Sequence, residues 1–253
     1  MKMFLAFSKK ELLEQIKTYK VLILFSIFFA IGILSPLTAK LLPQIFKIVG
    51  ISDIQISLPT PTFIDSYTQL FKNITQVGFI IILLMLNGNI SNEISKGTLI
   101  NLLSKGLSKN IVIFSKLFIS IIIWTLSLLI STITTYIYTL FLFENHSIKG
   151  LILSCFCVWL FGILIITLIL FSSILIHPYY GGLLLSLSLL SILFLLNLIP
   201  KIKEFNPVYL VTNNIKIIEN PSLINLTGTC LITLFLIIIF ISSSLLIFNK
   251  KQL

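Results

Sequence analysis

Side chains that could support catalysis are few in this sequence, and they lie far apart. The two histidines, His146 and His177, have no Asp or Glu three or four residues away, so the pattern of a zinc-protease helix is absent. The three cysteines are an odd number, and the pair Cys155 and Cys157 offers too few ligands for a structural zinc site. The sequence therefore predicts no catalytic residue, no metal site and no cofactor bound by this chain.

One polar stretch, residues 87–116, has a spacing of residue types suited to transmitting force. It carries a glutamate, a Gly-Thr pair, a Leu-Leu-Ser run and a Ser-Lys pair in that order. Ile94, Thr98 and Leu102 fall on one helical stripe, which predicts a short cytosolic amphipathic helix between two apolar segments. Such a helix can pass movement from a soluble partner to a membrane bundle. The same residues are also typical of an ordinary interfacial helix with solvated lysines.

The composition places these elements in a membrane protein. The chain has 253 residues, of which 57% are hydrophobic and 10% are charged, and its mean hydropathy is +1.10. Soluble domains carry about 25% charged residues, so this chain has too little polar surface to cover a water-soluble globule. The fold class predicted is an all-α, polytopic integral membrane protein.

Six apolar stretches have about the length that crosses a hydrocarbon core. Approximate bounds are 21–39, 77–90, 117–143, 150–176, a stretch ending near 199, and 228–248. The second is short, so its helix is expected to begin earlier, near Phe63. No Asp or Glu lies within these stretches, which argues against a proton-coupled carrier or an ion pump.

The charges predict the orientation of the spans. All 18 basic residues are lysines, and with 8 acidic residues the net charge is +10. Lysines gather in cytoplasmic loops of membrane proteins, and a cytoplasmic N-terminus places most of these lysines inside. Both termini are therefore expected to be cytoplasmic, in the cell membrane. Nucleic acid is not an expected partner, because no basic stripe with interleaved aromatics occurs outside the apolar stretches.

Residues 1–20 read as a helix lying in the membrane interface. Leu5, Leu12, Ile16 and Tyr19 fall near one helical face, which would lie against the lipid. The lysines on the other faces would lie toward anionic headgroups. The charged residues singled out on this helix are Lys9, Lys10, Glu11 and Lys17.

The polar stretch resembles the signature loop of ABC-2-type permeases, in the branch found in low-GC Gram-positive bacteria. That loop typically reads Glu-x-x-x-Gly-Thr, Leu-Leu-Ser, Ser-Arg or Ser-Lys, and then a lysine entering the third span. This chain departs from the pattern at Gly106 and Leu107, where the family often has a proline. The positions that match are Glu93, Gly97, Thr98, Leu102, Leu103, Ser104, Ser108, Lys109 and Lys116.

The resemblance implies a function that the residues alone do not establish. A family member is one ABC-2-type transmembrane domain, here residues 1–253, that works as the permease subunit of an ABC transporter. It implies export of a hydrophobic or amphipathic substrate, such as a peptide, lipid or drug, by a homodimer or a heterodimer with a second permease. ATP and Mg²⁺ would be bound by a separate ATPase subunit, since this chain has no Gly-x-x-x-x-Gly-Lys-Ser/Thr phosphate loop.

The resemblance also assigns roles to segments. The interfacial helix and the loop at 87–116 would dock onto the ATPase, with the loop as a coupling helix. Residues 200–227 would form an extracytoplasmic re-entrant segment before the last span. The alternative function is a stand-alone immunity or channel-type membrane protein that needs no ATPase. A membrane-embedded enzyme is disfavoured because the sequence has no catalytic cluster.

Overall fold

The computed structural model describes residues 2–48, 61–88, 90–95, 97–104, 106–143, 150–176, 179–219 and 226–251. These residues are helical almost throughout, and no strand occurs among them. One π-helical turn, Ile74–Gly78, joins the third and fourth helices. The α-helices in chain order are α1 Lys2–Lys17, α2 Lys20–Ile48, α3 Phe63–Asn73, α4 Phe79–Leu86, α5 Ser91–Ser95, α6 Thr98–Ser104, α7 Lys109–Leu142, α8 Leu151–Leu175, α9 Tyr179–Leu196, α10 Pro200–Lys203, α11 Tyr209–Thr212, α12 Asn214–Glu219 and α13 Thr227–Lys250.

Five helical segments in the described residues are long and apolar enough to cross a membrane. They are Lys20–Leu41, Phe63–Leu86, Lys109–Leu142, Leu151–Leu175 and Thr227–Lys250. The prediction of a polytopic helical membrane protein is therefore confirmed. The remaining predicted span corresponds to α9, whose 18 residues extend about 27 Å at 1.5 Å per residue. That length falls slightly short of a hydrocarbon core of about 30 Å.

The second span begins at Phe63, as its shortness in the sequence predicted. The backbone N–H of Thr62 donates to Asp65 Oδ2 at 2.7 Å, and Asp65 N–H donates back to the carbonyl of Thr62 at 3.1 Å. This reciprocal pair satisfies donors that the first turn of a helix leaves unpaired. An acidic residue thus lies in the first turn of this helix, before the apolar stretch predicted at 77–90. Its role there is to cap the helix.

The centre of the bundle is a close contact between α7 and α8. A Cβ atom at Gly162 would lie 2.2 Å from Cε2 of Trp124, so only glycine leaves room for the indole. Trp124 Nε1 donates to the carbonyl of Trp159 at 3.0 Å, and Trp159 Nε1 donates to Thr125 Oγ1 at 2.9 Å. Small residues and interhelical hydrogen bonds are the usual means of packing helices in lipid.

The start of α7 and the ends of α8 and α13 lie together, at what we call the loop end. Lys109 Nζ donates to the carbonyls of Asn249 and Lys251, at 3.2 and 2.7 Å. Lys251 Nζ in turn donates to the carbonyl of Ile174, one residue before the end of α8.

The opposite end of the bundle, which we call the far end, joins the other helix termini. Lys40 Nζ of α2 donates to the carbonyl of Leu142 at 3.0 Å, where α7 ends. Asn206, next to α10, donates from Nδ2 to the carbonyl of Leu193 near the end of α9, at 2.7 Å. The other terminus of α9 lies at the loop end, because a Cβ at Gly182 would be 3.3 Å from Cα of Ser173. The helix α9 therefore runs from one end to the other, like the five longer segments.

Several predicted features lie outside the described residues or differ from expectation. His177 and Pro178 lie outside them. The single amphipathic helix expected in the polar loop is instead two short helices, α5 and α6. The division falls at Gly97, whose φ of 68° places it in the left-handed region that other residues rarely adopt.

Candidate functional site

The first helix packs against the bundle with a polar stripe. Its buried residues are Phe7, Ser8, Glu11 and Gln15, which recur at helical spacing and face α7. Leu5 and Ile16 of the predicted apolar face are exposed. The buried side of the helix thus carries Glu11 and Gln15 as well as Phe7, while Lys9 and Lys17 are exposed as Leu5 and Ile16 are.

A buried lysine near the start of α7 contacts the buried glutamate of α1. Lys116 Nζ lies 2.7 Å from Glu11 Oε2 of α1 and 3.0 Å from Glu93 Oε2 of α5. The side chains of Lys116 and Glu11 are both 2% exposed, and that of Glu93 is 7% exposed. Burying a charge is costly unless it is paired, so each of these three groups depends on the others.

Lys10 extends the ion pairs toward the surface. Its Nζ contacts Glu93 Oε1 across the gap between α1 and α5, and it lies 2.6 Å from Glu14 Oε2 one turn along α1. We call Lys10, Glu11, Glu14, Glu93 and Lys116 the ion cluster. Because it joins α1, α5 and α7, it holds the loop and the first helix as one unit at the loop end.

The two half-exposed members of the ion cluster have shifted pKa values. Burial alone would lower the pKa of Lys10, but the hydrogen bonds and charges of Glu14 and Glu93 outweigh it, so the pKa lies above its usual 10.5. Burial alone would raise the pKa of Glu14, but the hydrogen bond from Lys10 and the charges of Lys10, Lys116 and Lys20 lower it below 4.5. Both groups are therefore charged at neutral pH.

The three glutamates of the ion cluster raise the question of a metal. Their carboxylate oxygens lie within 4.8 Å of one another, closer than any other such group in the described residues. The ammonium groups of Lys10 and Lys116 contact all three carboxylates. Each of the three carboxylates thus already has a lysine partner, and the arrangement does not require a cation.

The structure brings together some of the predicted site residues and separates others. Lys10, Glu11 and Glu93 lie in the ion cluster, while Lys9 and Lys17 are exposed elsewhere on α1. Thr98 donates from Oγ1 to the carbonyl of Glu93 at 3.2 Å across the Gly97 turn. The remaining loop residues lie along α6 or at its junction with α7; these are Leu102 and Leu103, which are half-buried, and Ser104, Ser108 and Lys109.

Ser108 and Lys109 have structural partners of their own. Ser108 Oγ accepts the backbone N–H of Ile111 at 3.4 Å and so caps α7. Lys109 holds the end of α13, as described above. Two residues that the sequence did not single out are Glu14 and Gln15. Their positions could have indicated them, because Glu14 lies four residues after Lys10 and Gln15 four residues after Glu11, on the same face of a helix.

A cavity of about 520 Å³ opens between α1 and the loop, beside the ion cluster. Its walls include Gln15 and Thr18 from the first helix and Thr98 and Asn101 from α6. Leu102 is the one large apolar residue among the lining residues described.

Comparisons with models of known protein families and with curated proteins found no match to this chain.

Proposed function

We propose that this chain is the transmembrane permease subunit of an ABC transporter, driven by a separate ATPase subunit. The observation that carries the proposal is the ion cluster. It ties the interfacial helix and the motif-bearing loop to α7, the most extensive helix of the bundle. A force applied to the loop would therefore reach the bundle through buried ion pairs.

In this proposal the motif residues divide into two groups. Glu93 is 5% exposed and anchors the loop from within. Thr98, Ser104 and Ser108 are exposed and would contact the ATPase directly. Gly97 supplies the turn between the two short loop helices, so that the buried glutamate and the exposed contact residues can face different directions.

The topology proposed has six spans, with α9 as the fifth. Each of the six passes between the loop end and the far end, so both termini would lie on one side. The lysine count puts the loop end in the cytoplasm, where an ATPase would be found. Residues 200–219, with their three short helices, would form the outer part of the proposed re-entrant segment.

The mechanism proposed uses chemistry that this chain does not itself perform. ATP and Mg²⁺ would bind the ATPase, and closure of its two copies would displace the loop and the first helix. The spans would then rock to open a path outward between two permease subunits, identical or related. A path lined by apolar and hydroxyl side chains suits a hydrophobic or amphipathic substrate such as a peptide, lipid or drug.

Co-purification tests this proposal most directly. The chain would be extracted from its native host in mild detergent, and the attached proteins identified by mass spectrometry. We expect an ABC ATPase in stoichiometric amount. A lone oligomer, still without an ATPase after crosslinking through the loop lysines, would overturn the proposal and favour an immunity or channel-type protein.

A further inference from the structure

A second cavity lies near the far end, between the second span and the short helices α11 and α12. Its volume is about 250 Å³, several times the ~30 Å³ that one water occupies in the liquid. Thr68, Lys72 and Gln76 of the second span line one wall, and their four-residue spacing puts them on one side of the helix. Lys72 is the one charged residue among the lining residues described, so the cavity has a net positive charge.

These three side chains have donors available for a ligand. Lys72 and Gln76 are exposed and Thr68 is partly exposed. None of the three side chains bonds to another residue in the part of the chain that the structure describes. By contrast, Thr75 and Thr212 of the same cavity donate to carbonyls four residues earlier, at 2.7 and 3.1 Å. An ammonium, an amide and a hydroxyl that converge in this way complement the oxygens of an anion such as a phosphate ester.

The cavity lies below the far end of the bundle. Asn73, next to Lys72, donates from Nδ2 to Ser35 Oγ of α2 at 3.1 Å. Ser35 precedes Lys40, which contacts the end of α7, by five residues, or about 7.5 Å along a helix. Lys72 also lies within the apolar segment Phe63–Leu86. An exposed lysine in a membrane-spanning segment is costly unless a counter-charge or water reaches it.

Apolar surface continues from the cavity toward the loop end. Val77 and Ile80, the next exposed residues of this span, are 47% and 48% exposed. Ile215, on the opposite wall of the cavity, is 43% exposed. Polar donors nearer the far end and an apolar surface below them match the order of headgroup and acyl chain in a lipid. A small water-soluble anion would make no use of the apolar part.

The backbone at this position is irregular as well. The π-helical turn Ile74–Gly78 contains two of the lining residues, Thr75 and Gln76. Single π-helical turns within α-helices occur frequently at functional sites. The turn therefore supports a binding role for this side of the span.

We infer that the cavity binds an anionic phospholipid, whose phosphate pairs with Lys72 and whose acyl chains lie along Val77 and Ile80. Thr68 and Gln76 donate further hydrogen bonds to the headgroup oxygens. The bound lipid joins the second span to α11 and α12. This inference goes beyond the proposed function and does not depend on it, because no ATPase takes part.

A lipid titration tests the site. The subunit would be delipidated in neutral detergent and titrated with short-chain phosphatidylglycerol, and the bound lipid counted by native mass spectrometry. We expect one tightly bound lipid, with an affinity about ten-fold lower in Lys72→Met because the charged partner of the phosphate is lost. The matched control Lys201→Met removes an exposed lysine of α10, also near the far end, and should leave the affinity unchanged.

Several results would overturn the inference without affecting the proposed function. An unchanged affinity in Lys72→Met, or an equal loss in both variants, would show that Lys72 has no specific contact with the lipid. Equal affinity of the wild type for phosphatidylcholine would show that the anionic charge is not recognised. Displacement of the lipid by a similar concentration of inorganic phosphate would assign the site to a free anion. Lower thermal stability of lipid-free Lys72→Met would assign Lys72 to the fold.

Hydrogen exchange would locate the bound lipid. Amides of residues 209–219 should exchange more slowly in phosphatidylglycerol nanodiscs than in phosphatidylcholine nanodiscs, because the lipid joins α11 and α12 to the second span. Lys72→Met should abolish this difference, and Lys201→Met should keep it. A difference that persists in Lys72→Met would place the lipid elsewhere and overturn the inference.

Discussion

The ion cluster and the buried hydroxyl groups of the long helices satisfy their hydrogen-bonding groups in different ways. In the bundle, hydroxyls such as Ser127 and Thr167 donate to carbonyls three or four residues earlier on their own helix, both at 2.8 Å. In the ion cluster, the partners lie 83 and 105 residues apart in sequence. A group satisfied within its own helix constrains no neighbour, whereas a long-range ion pair couples every element that it joins.

The difference indicates which region transmits movement. The Trp124 contact depends on shape, because α7 and α8 approach closely at Gly162, and on two interhelical hydrogen bonds of Trp124 and Trp159. Packed interiors of this kind are rigid and tolerate little change in volume. The ion cluster depends on charge between a short loop and two helices, and such a loop can move as a unit if its pairs stay intact. The bundle therefore supplies rigidity, and the loop end supplies coupling.

The largest effect is expected from removing the buried cation of the ion cluster. Lys116→Met leaves Glu11 and Glu93 buried without their shared partner, and breaking a buried pair costs about 3–5 kcal/mol. We expect a corresponding loss of thermal stability of the subunit in detergent. Lys17→Met is the control, because Lys17 is exposed on α1 and should change stability by less than about 0.5 kcal/mol. Equal stability of the two variants would contradict the coupling role assigned to the ion cluster.

Reversing the anchoring charge of the loop should separate ATP hydrolysis from transport. Glu93→Lys places a third lysine against Lys10 and Lys116, and like charges in a buried site repel strongly. We expect insertion and ATPase activity to persist while transport falls more than about ten-fold, a change equivalent to about 1.4 kcal/mol. Vesicle transport and hydrolysis measured on the same preparation check this. Unchanged transport would refute the role of Glu93.

A smaller effect is expected at the shape-dependent contact. Gly162→Ala forces the Trp124 ring to shift, and overpacking of a core costs about 1–3 kcal/mol. Gly228→Ala is a matched control, since its Cβ would meet Phe205 at an ordinary 3.6 Å. Thermal unfolding should distinguish the two variants, with transport and hydrolysis in Gly162→Ala falling together rather than separately. Selective loss of transport would show that the bundle contact also takes part in coupling.

The smallest effect concerns pH and the exposed side of the ion cluster. The lowered pKa of Glu14 means that its contribution is present above about 4.5 and is lost as the pH falls through its folded-state pKa. The raised pKa of Lys10 means that its contribution is present below 10.5 and is lost as the pH rises through its folded-state value. Attachment of α1 to the loop should thus be constant from about pH 5 to 10.

Hydrogen exchange of α1 in nanodiscs, followed from pH 4 to 7 after correction for the intrinsic rate, would measure this attachment. Protection should weaken at the acidic end in the wild type, and Glu14→Gln should remove that acidic dependence. The side chains of Lys10 and Glu14 are both over 40% exposed. Solvent therefore screens their interaction and keeps the change in protection small. A transition near neutral pH in the wild type would contradict the assignment.

Much of the fold could be predicted, because the relevant signals are local. Hydropathy and segment length located the helices, and the shortness of the second span predicted its start at Phe63. The division of the loop at Gly97 was not predicted, since the stripe of Ile94, Thr98 and Leu102 continues across it. Helical periodicity cannot reveal a turn when the residue that makes it, glycine, is also tolerated in a helix.

The candidate site was predicted only in part. The motif spacing selected Glu93 and Lys116, but it did not indicate that they pair with each other or with α1. Glu14 and Gln15 were passed over because a charged or amide residue on an amphipathic helix is usually solvated. The burial of Gln15 and the contact of Glu14 with Lys10 depend on which side of α1 faces the bundle.

By itself the sequence determined that this chain is a helical membrane protein and where most of its helices lie. These properties follow from composition and periodicity over about 20 residues. Such signals lie within each segment and do not depend on the rest of the chain. Only the tertiary structure decided that Lys10, Glu11, Glu93 and Lys116 meet, and that Gln15 is buried beside them. Contacts between residues so distant in sequence depend on how whole helices pack, and a buried charge finds its partner only after that packing brings the helices together.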